Sequence, residues 1–100
     1  MTRVDELADA RTGDKGDSLI LAVVARSEDG FEMLAEKLTP RAVAEHYGSP
    51  VERVSRTELP HLRALTFTLA GYLGGGVTGS SLLDGHGKAL SYHLLDLDLE

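Results

Sequence analysis

The chain has 100 residues and no cysteine, is 42% apolar and 26% charged, and sets 10 Lys and Arg against 16 Asp and Glu for a formal net charge of −6. Such a chain is expected to fold as one domain over residues 1–100, and it excludes a disulfide scaffold, a thiolate metal site and thiol catalysis. The acid excess runs through both halves with no basic block, so a phosphate backbone would be repelled and nucleic acid is not an expected partner.

The first expected strand is Val4 to Ala10. Residues 11–18 read as a polar loop punctuated by Gly13 and Gly16. The run Leu19 to Ala25 is short, continuous and β-favouring, which fits a strand in the middle of a sheet. It is also the longest apolar run, far below the roughly 20 residues that a bilayer needs. The segment Met1 to Glu6 lacks the order of a signal peptide, so no membrane contact and a cytoplasmic location are expected.

Asp29 reads as a helix N-cap with Glu32 three residues on, and Phe31, Leu34, Ala35 and Leu38 fall on one helical face. Thr39 and Pro40 restart a helix through Val43 and Tyr47, and Gly48 and Pro50 stop it. Val51 to Glu58 reads as a strand with one wet face, and the strand–helices–strand unit is expected to bring its two strands parallel. Leu62 to Leu73 fits both a helical face and strand alternation; its length and the following Gly74-Gly75-Gly76 favour a helix.

The end reads as a β-hairpin, 78–83 against 89–99, with a one-residue phase shift at Leu94 and Leu95. The sum is roughly ββαβαββ: an α+β two-layer sandwich of about five strands with helices on one face. The other face is left for solvent or a partner, and the apolar central strand argues for cover. A core this small gains from a homo-oligomer or from docking on a larger chain.

Two segments concentrate the candidate chemistry. In Arg11-Thr12-Gly13-Asp14-Lys15-Gly16-Asp17-Ser18 the glycines expose backbone N–H groups, Arg11 and Lys15 supply positive charge, and Ser18 a hydroxyl. A carboxylate or phosphate suits such a loop, with Asp14 or Asp17 as a base; a well-ordered turn with internal Asp bonds explains the same residues. In Gly74-Gly75-Gly76-Val77-Thr78 three adjacent glycines are costly in backbone entropy, so close approach of a ligand or another backbone competes with a helix cap and linker. The four histidines, at 46, 61, 86 and 93, have no partner at metal-ligand spacing, so no metal is expected; His46 and His86 read as surface residues and His93 as partly buried. Ser80 and Ser81 lack a nucleophile-elbow context.

Four segments in order carry a family resemblance: 11–17, Glu58-Leu59-Pro60, Gly71-x-Leu73-Gly74-Gly75-Gly76-Val77-Thr78, and Asp84-Gly85-His86-Gly87-Lys88 followed by His93 to Asp96. Together they resemble the AtuA-like ferredoxin-fold domain over about residues 8–97. That family supplies the C-terminal region of acyclic terpene utilisation AtuA-type proteins or occurs as a small separate chain. The resemblance implies a ferredoxin-like sandwich and a link to acyclic terpenoid or branched acyl-CoA breakdown, without an established catalytic role or cofactor. The chain departs from the family at Asp17, where Asn is frequent, and at Thr66 and Ala70, where Asn and His are frequent.

Three functions follow as expectations. One is an accessory subunit of a separately encoded AtuA-type large domain. Another is a homodimeric ligand-binding module or small enzyme for an acyl-CoA or carboxylic acid. Its ligand would meet Arg11, Gly13, Asp14, Lys15, Gly16, Asp17, Ser18, Gly74, Gly75, Gly76 and Thr78. The third is a purely structural oligomer with the loops as interfaces.

Overall fold

The computed structural model describes residues 2–73 and 87–99. A short helix α1 (Val4–Leu7) leads into β1 (Ala8–Lys15), which turns back as β2 (Ser18–Ala25). Helices α2 (Glu28–Lys37) and α3 (Pro40–Tyr47) follow, then β3 (Val54–Leu59), β4 (Ala64–Leu69) and α4 (Gly87–Leu95). The strands form one sheet in the order β1-β2-β4-β3, every neighbouring pair antiparallel. Strands β2 and β3, joined through α2 and α3, therefore run parallel, with β4 inserted between them.

Among the described residues, the single turn of α1 aside and α2 and α3 taken as one helical layer, the order ββαββα becomes the ferredoxin-like βαββαβ once β1 is moved from the front to the end. The ends of the described chain meet accordingly: Val4 N–H donates to Leu97 O at 3.0 Å and Leu99 N–H to Thr2 O at 2.8 Å, around an antiparallel bridge between Arg3 and Asp98.

The helices cover one face of the sheet, with α2 against β2, α3 against β3 and α4 against β1. Under them lie Leu19, Leu21 and Val23 of β2, Leu65, Phe67 and Leu69 of β4, Leu34 of α2 and Leu38 at its C-cap, Val43 of α3 and Leu94 of α4, all but fully buried. Each such side chain contributes about 1.5–3 kcal/mol by leaving water. Local chemistry sets the helix starts. Ser27 accepts from Gly30 N–H and caps α2, two residues ahead of the expected Asp29. Thr39 accepts from Ala42 N–H and Pro40 opens α3, as read from the sequence, and Gly48 ends it in the left-handed region at φ +69°.

Four readings change. Val4–Leu7 is helical, because the Glu6 carboxylate accepts from the Arg3 N–H and closes a first turn. Residues 11–15 belong to β1 rather than a loop: β1 is an edge strand with one face uncovered, which tolerates polar side chains. Leu62–Leu73 is no helix. Pro60–Leu62 forms a 3-10 turn and β4 follows, its alternation decided by Leu65, Phe67 and Leu69 pointing into the core while Thr66 and Thr68 point away. Residues 89–95 are helical, so most of the second arm of the expected hairpin is α4, and the apparent phase shift at Leu94 has a helical origin: Leu90 and Leu94 turn inward at i and i+4, while Leu97 and Leu99 are buried beyond the helix end. The first arm, 78–83, lies outside the described residues. Among the described residues the sheet has four strands.

Candidate functional site

The face of the sheet turned away from the helices is built by alternation. Register places Asp9, Arg11, Gly13 and Lys15 of β1 beside Val24, Ala22, Ile20 and Ser18 of β2. Val24, Ala22 and Ile20 lie in turn beside Ala64, Thr66 and Thr68 of β4, which neighbour Leu59, Thr57 and Ser55 of β3. Away from β1 the surface carries small and neutral side chains for the most part, with Val24 42% and Leu59 36% exposed at the end nearest the β3–β4 turn. Its charge is confined to β1. Asp9 accepts from Arg26 Nη2 at 3.0 Å, whereas Arg11 and Lys15 make no ion pair with any other described residue.

The hairpin tip is a two-residue turn, Gly16-Asp17, between the paired residues Lys15 and Ser18. Gly16 takes φ +63° at the first turn position, where a two-residue hairpin of this hand asks for glycine. The Asp17 carbonyl accepts from Leu73 N–H at 2.9 Å. This bond seats the residue before the Gly74-Gly75-Gly76 run against the β1–β2 turn.

The residues expected to form one anion loop are thus divided. Arg11, Gly13, Lys15 and Ser18 share the open face, Asp14 sits on the opposite side of β1 beside Leu19, and Gly16 and Asp17 form the tip. Gly74, Gly75, Gly76 and Thr78 lie outside the described residues. Ile20, Ala22, Thr68, Ser55 and Thr57 belong to the same surface and were not singled out from the sequence; Thr66, beside them, stood out only as a departure from the family. The alternations Thr66-x-Thr68 and Ser55-x-Thr57 were the available signal.

The histidines form a separate feature. His46 of α3 and His93 of α4 stack with ring centroids 3.9 Å apart and planes 16° from parallel. His46 is therefore no isolated surface residue. Their ring nitrogens bond backbone carbonyls, and among the described residues no group of three or more His, Asp or Glu is placed to hold a metal ion. A shallow recess of about 440 Å³ beside His46 is lined by Glu45, Asp96 and Asp98. No helix among the described residues is long and apolar enough to cross a membrane.

The profile of the AtuA ferredoxin-like domain family matches residues 2–100. No curated protein and no solved structure matches the chain.

Proposed function

Because the chain belongs to the AtuA ferredoxin-like domain family, we propose that it serves as an accessory domain to a larger AtuA-type protein in acyclic terpenoid or branched acyl-CoA catabolism, in the cytoplasm. The observation that carries this reading is the bond from Leu73 N–H to the Asp17 carbonyl. It gathers the start of one glycine-rich segment onto the turn of the other, leaving Asp14, Lys15, Gly16 and Asp17 exposed at one end of the sheet. Glycine-bearing tips of this kind admit close approach of another backbone. The test is co-expression of the tagged chain with a separately encoded AtuA-type large chain. Co-elution in near-equal amounts is expected, with loss on Asp17→Arg; separate elution of the two chains overturns the reading.

A second reading is favoured by Arg11 and Lys15. Two cations without an ion-pair partner among the described residues suit the carboxylate or phosphate of an acyl-CoA or free acid. A thermal-shift screen decides it, since a ligand at a hundred times its Kd stabilises by about 2.7 kcal/mol. No shift with any acyl-CoA or acid overturns it. Self-association belongs to either reading, because a domain of this size has little surface of its own to bury.

A further inference from the structure

We infer that the open face of the sheet is a self-association surface on which a second copy of this chain packs, each strand over its own counterpart running in the opposite direction. The inference rests on the self-association part of the reading above and is independent of the AtuA-type partner.

Gly13 points to the surface. It lies in the interior of β1, its φ is ordinary, and a Cβ built on it would meet nothing within 4 Å. Neither turn geometry nor internal packing asks for glycine there. Glycine inside a strand marks a place where another chain or a ligand comes close.

The charge pattern fixes the arrangement. A twofold axis across the strands at the level of Thr12 and Leu21 sets residue 9 over residue 15 of the other copy, and 11 over 13. Asp9 then meets Lys15 twice, once in each direction, and Arg11 lies over the space left by Gly13. The same operation lays Ala22 over Ile20, Thr66 over Thr68 and Thr57 over Ser55, small against large and hydroxyl against hydroxyl. The alternative axis, along the strands, lays β1 over β3 of the other copy. Asp9 then faces Leu59, and neither Asp9 nor Lys15 meets an opposite charge. Sheets stacked face to face sit about 10 Å apart, a spacing that these short side chains allow.

The extent of the face sets the strength. Four strands about 4.8 Å apart and about seven residues long at about 3.4 Å each give a projected area of about 450 Å² per copy. That falls at the low end of specific interfaces, where association is weak and transient. The expected dimer is therefore populated with rising concentration rather than permanent.

Sedimentation velocity of the native chain from about 10 μM to about 1 mM is expected to show the mass rising from monomer towards dimer. Ala22→Glu, at the middle of the face, is expected to weaken association at least tenfold. Asp9→Lys and Lys15→Asp each place like charges in both contacts, so each alone weakens association about tenfold at low salt. An equimolar mixture of the two variants restores both pairs, recovers the native affinity as a heterodimer, and loses that advantage in high salt. A monomer mass at every concentration overturns the inference. So does a dimer that Ala22→Glu leaves intact, or a mixture that associates no better than either variant alone. None of these outcomes bears on co-elution with an AtuA-type chain.

Discussion

His46 and His93 clasp each other symmetrically: His46 Nε2 lies 2.6 Å from the His93 carbonyl oxygen and His93 Nε2 lies 2.8 Å from the His46 carbonyl oxygen, with the rings stacked between. A carbonyl only accepts, so each ring carries a hydrogen on Nε2. Both residues sit in the last turn of their helices, so each histidine brings a donor to the end of the other helix; the His93 carbonyl also accepts from the Asp96 N–H at 3.3 Å. Replacing either by Ala is expected to cost about 1–2 kcal/mol in urea unfolding. The double variant is expected to cost less than the sum, with a coupling of at least about 0.5 kcal/mol. Additive losses would show that the two rings act separately.

Tyr47 stands edge-on to His93 and to Tyr72, and its hydroxyl donates to the Leu90 carbonyl at 2.6 Å. Burial, reinforced by the neighbouring Tyr72 phenol, pushes the Tyr47 phenol well above the usual tyrosine range. Burial raises Tyr72 as well. The unfolded chain therefore releases these protons first, and stability is full below about pH 10 and falls as pH rises beyond it. Urea midpoints measured from pH 8 upward are expected to drop above about pH 10. Tyr47→Phe should flatten that drop while lowering stability at neutral pH by about 1 kcal/mol. An unchanged alkaline slope in the variant would remove Tyr47 from this account.

Arg56 fastens β3 to the end of α2. Its Nη1 donates to the carbonyls of Ala35 and Leu38, each at 2.9 Å, while Nη2 reaches the Glu58 carboxylate at 2.8 Å. Arg56→Ala leaves two helix-end carbonyls without this donor and is expected to cost about 1.5–3 kcal/mol. Arg56→Lys should recover only part of it, since one ammonium does not reproduce the planar fork. Full recovery by Lys in equilibrium unfolding would mean that charge alone matters there.

The two glycines of β1 and its turn separate under substitution. Gly16→Ala is expected to lose about 1 kcal/mol, because its φ of +63° is left-handed. Gly13→Ala should leave the monomer unchanged or slightly more stable, having ordinary φ and open space. Chemical denaturation at low protein concentration tests both; equal losses would contradict the geometry of the turn.

What the sequence revealed followed from how locally each element is encoded. Helix α3 was legible from Thr39, Pro40 and Gly48 alone, because caps are chemistry between near neighbours. Strand β2 was legible as an unbroken apolar run. Strand β4 was not, since Leu62, Leu65, Leu69, Tyr72 and Leu73 suit a helical face while Leu65, Phe67, Leu69 and Leu73 suit alternation, and the arbiter was pairing with β2 and β3, which no local pattern contains. The same blindness hid the candidate surface: Arg11 and Lys15 stood out as a polar loop, yet their alignment with Ala22, Thr66 and Thr57 is a product of register. The His46–His93 clasp joins residues 47 positions apart and offered no local signal, with His46 read as a surface residue and His93 as part of a strand.

The seam that joins Thr2 to Leu99 and Val4 to Leu97 closes the backbone into a ring in all but covalent fact. In such a ring the point at which the chain starts is arbitrary to the packing. A circular permutant with its old ends joined by a short linker and new ends opened in the exposed Pro60–Arg63 turn would keep every strand neighbour that the present chain has.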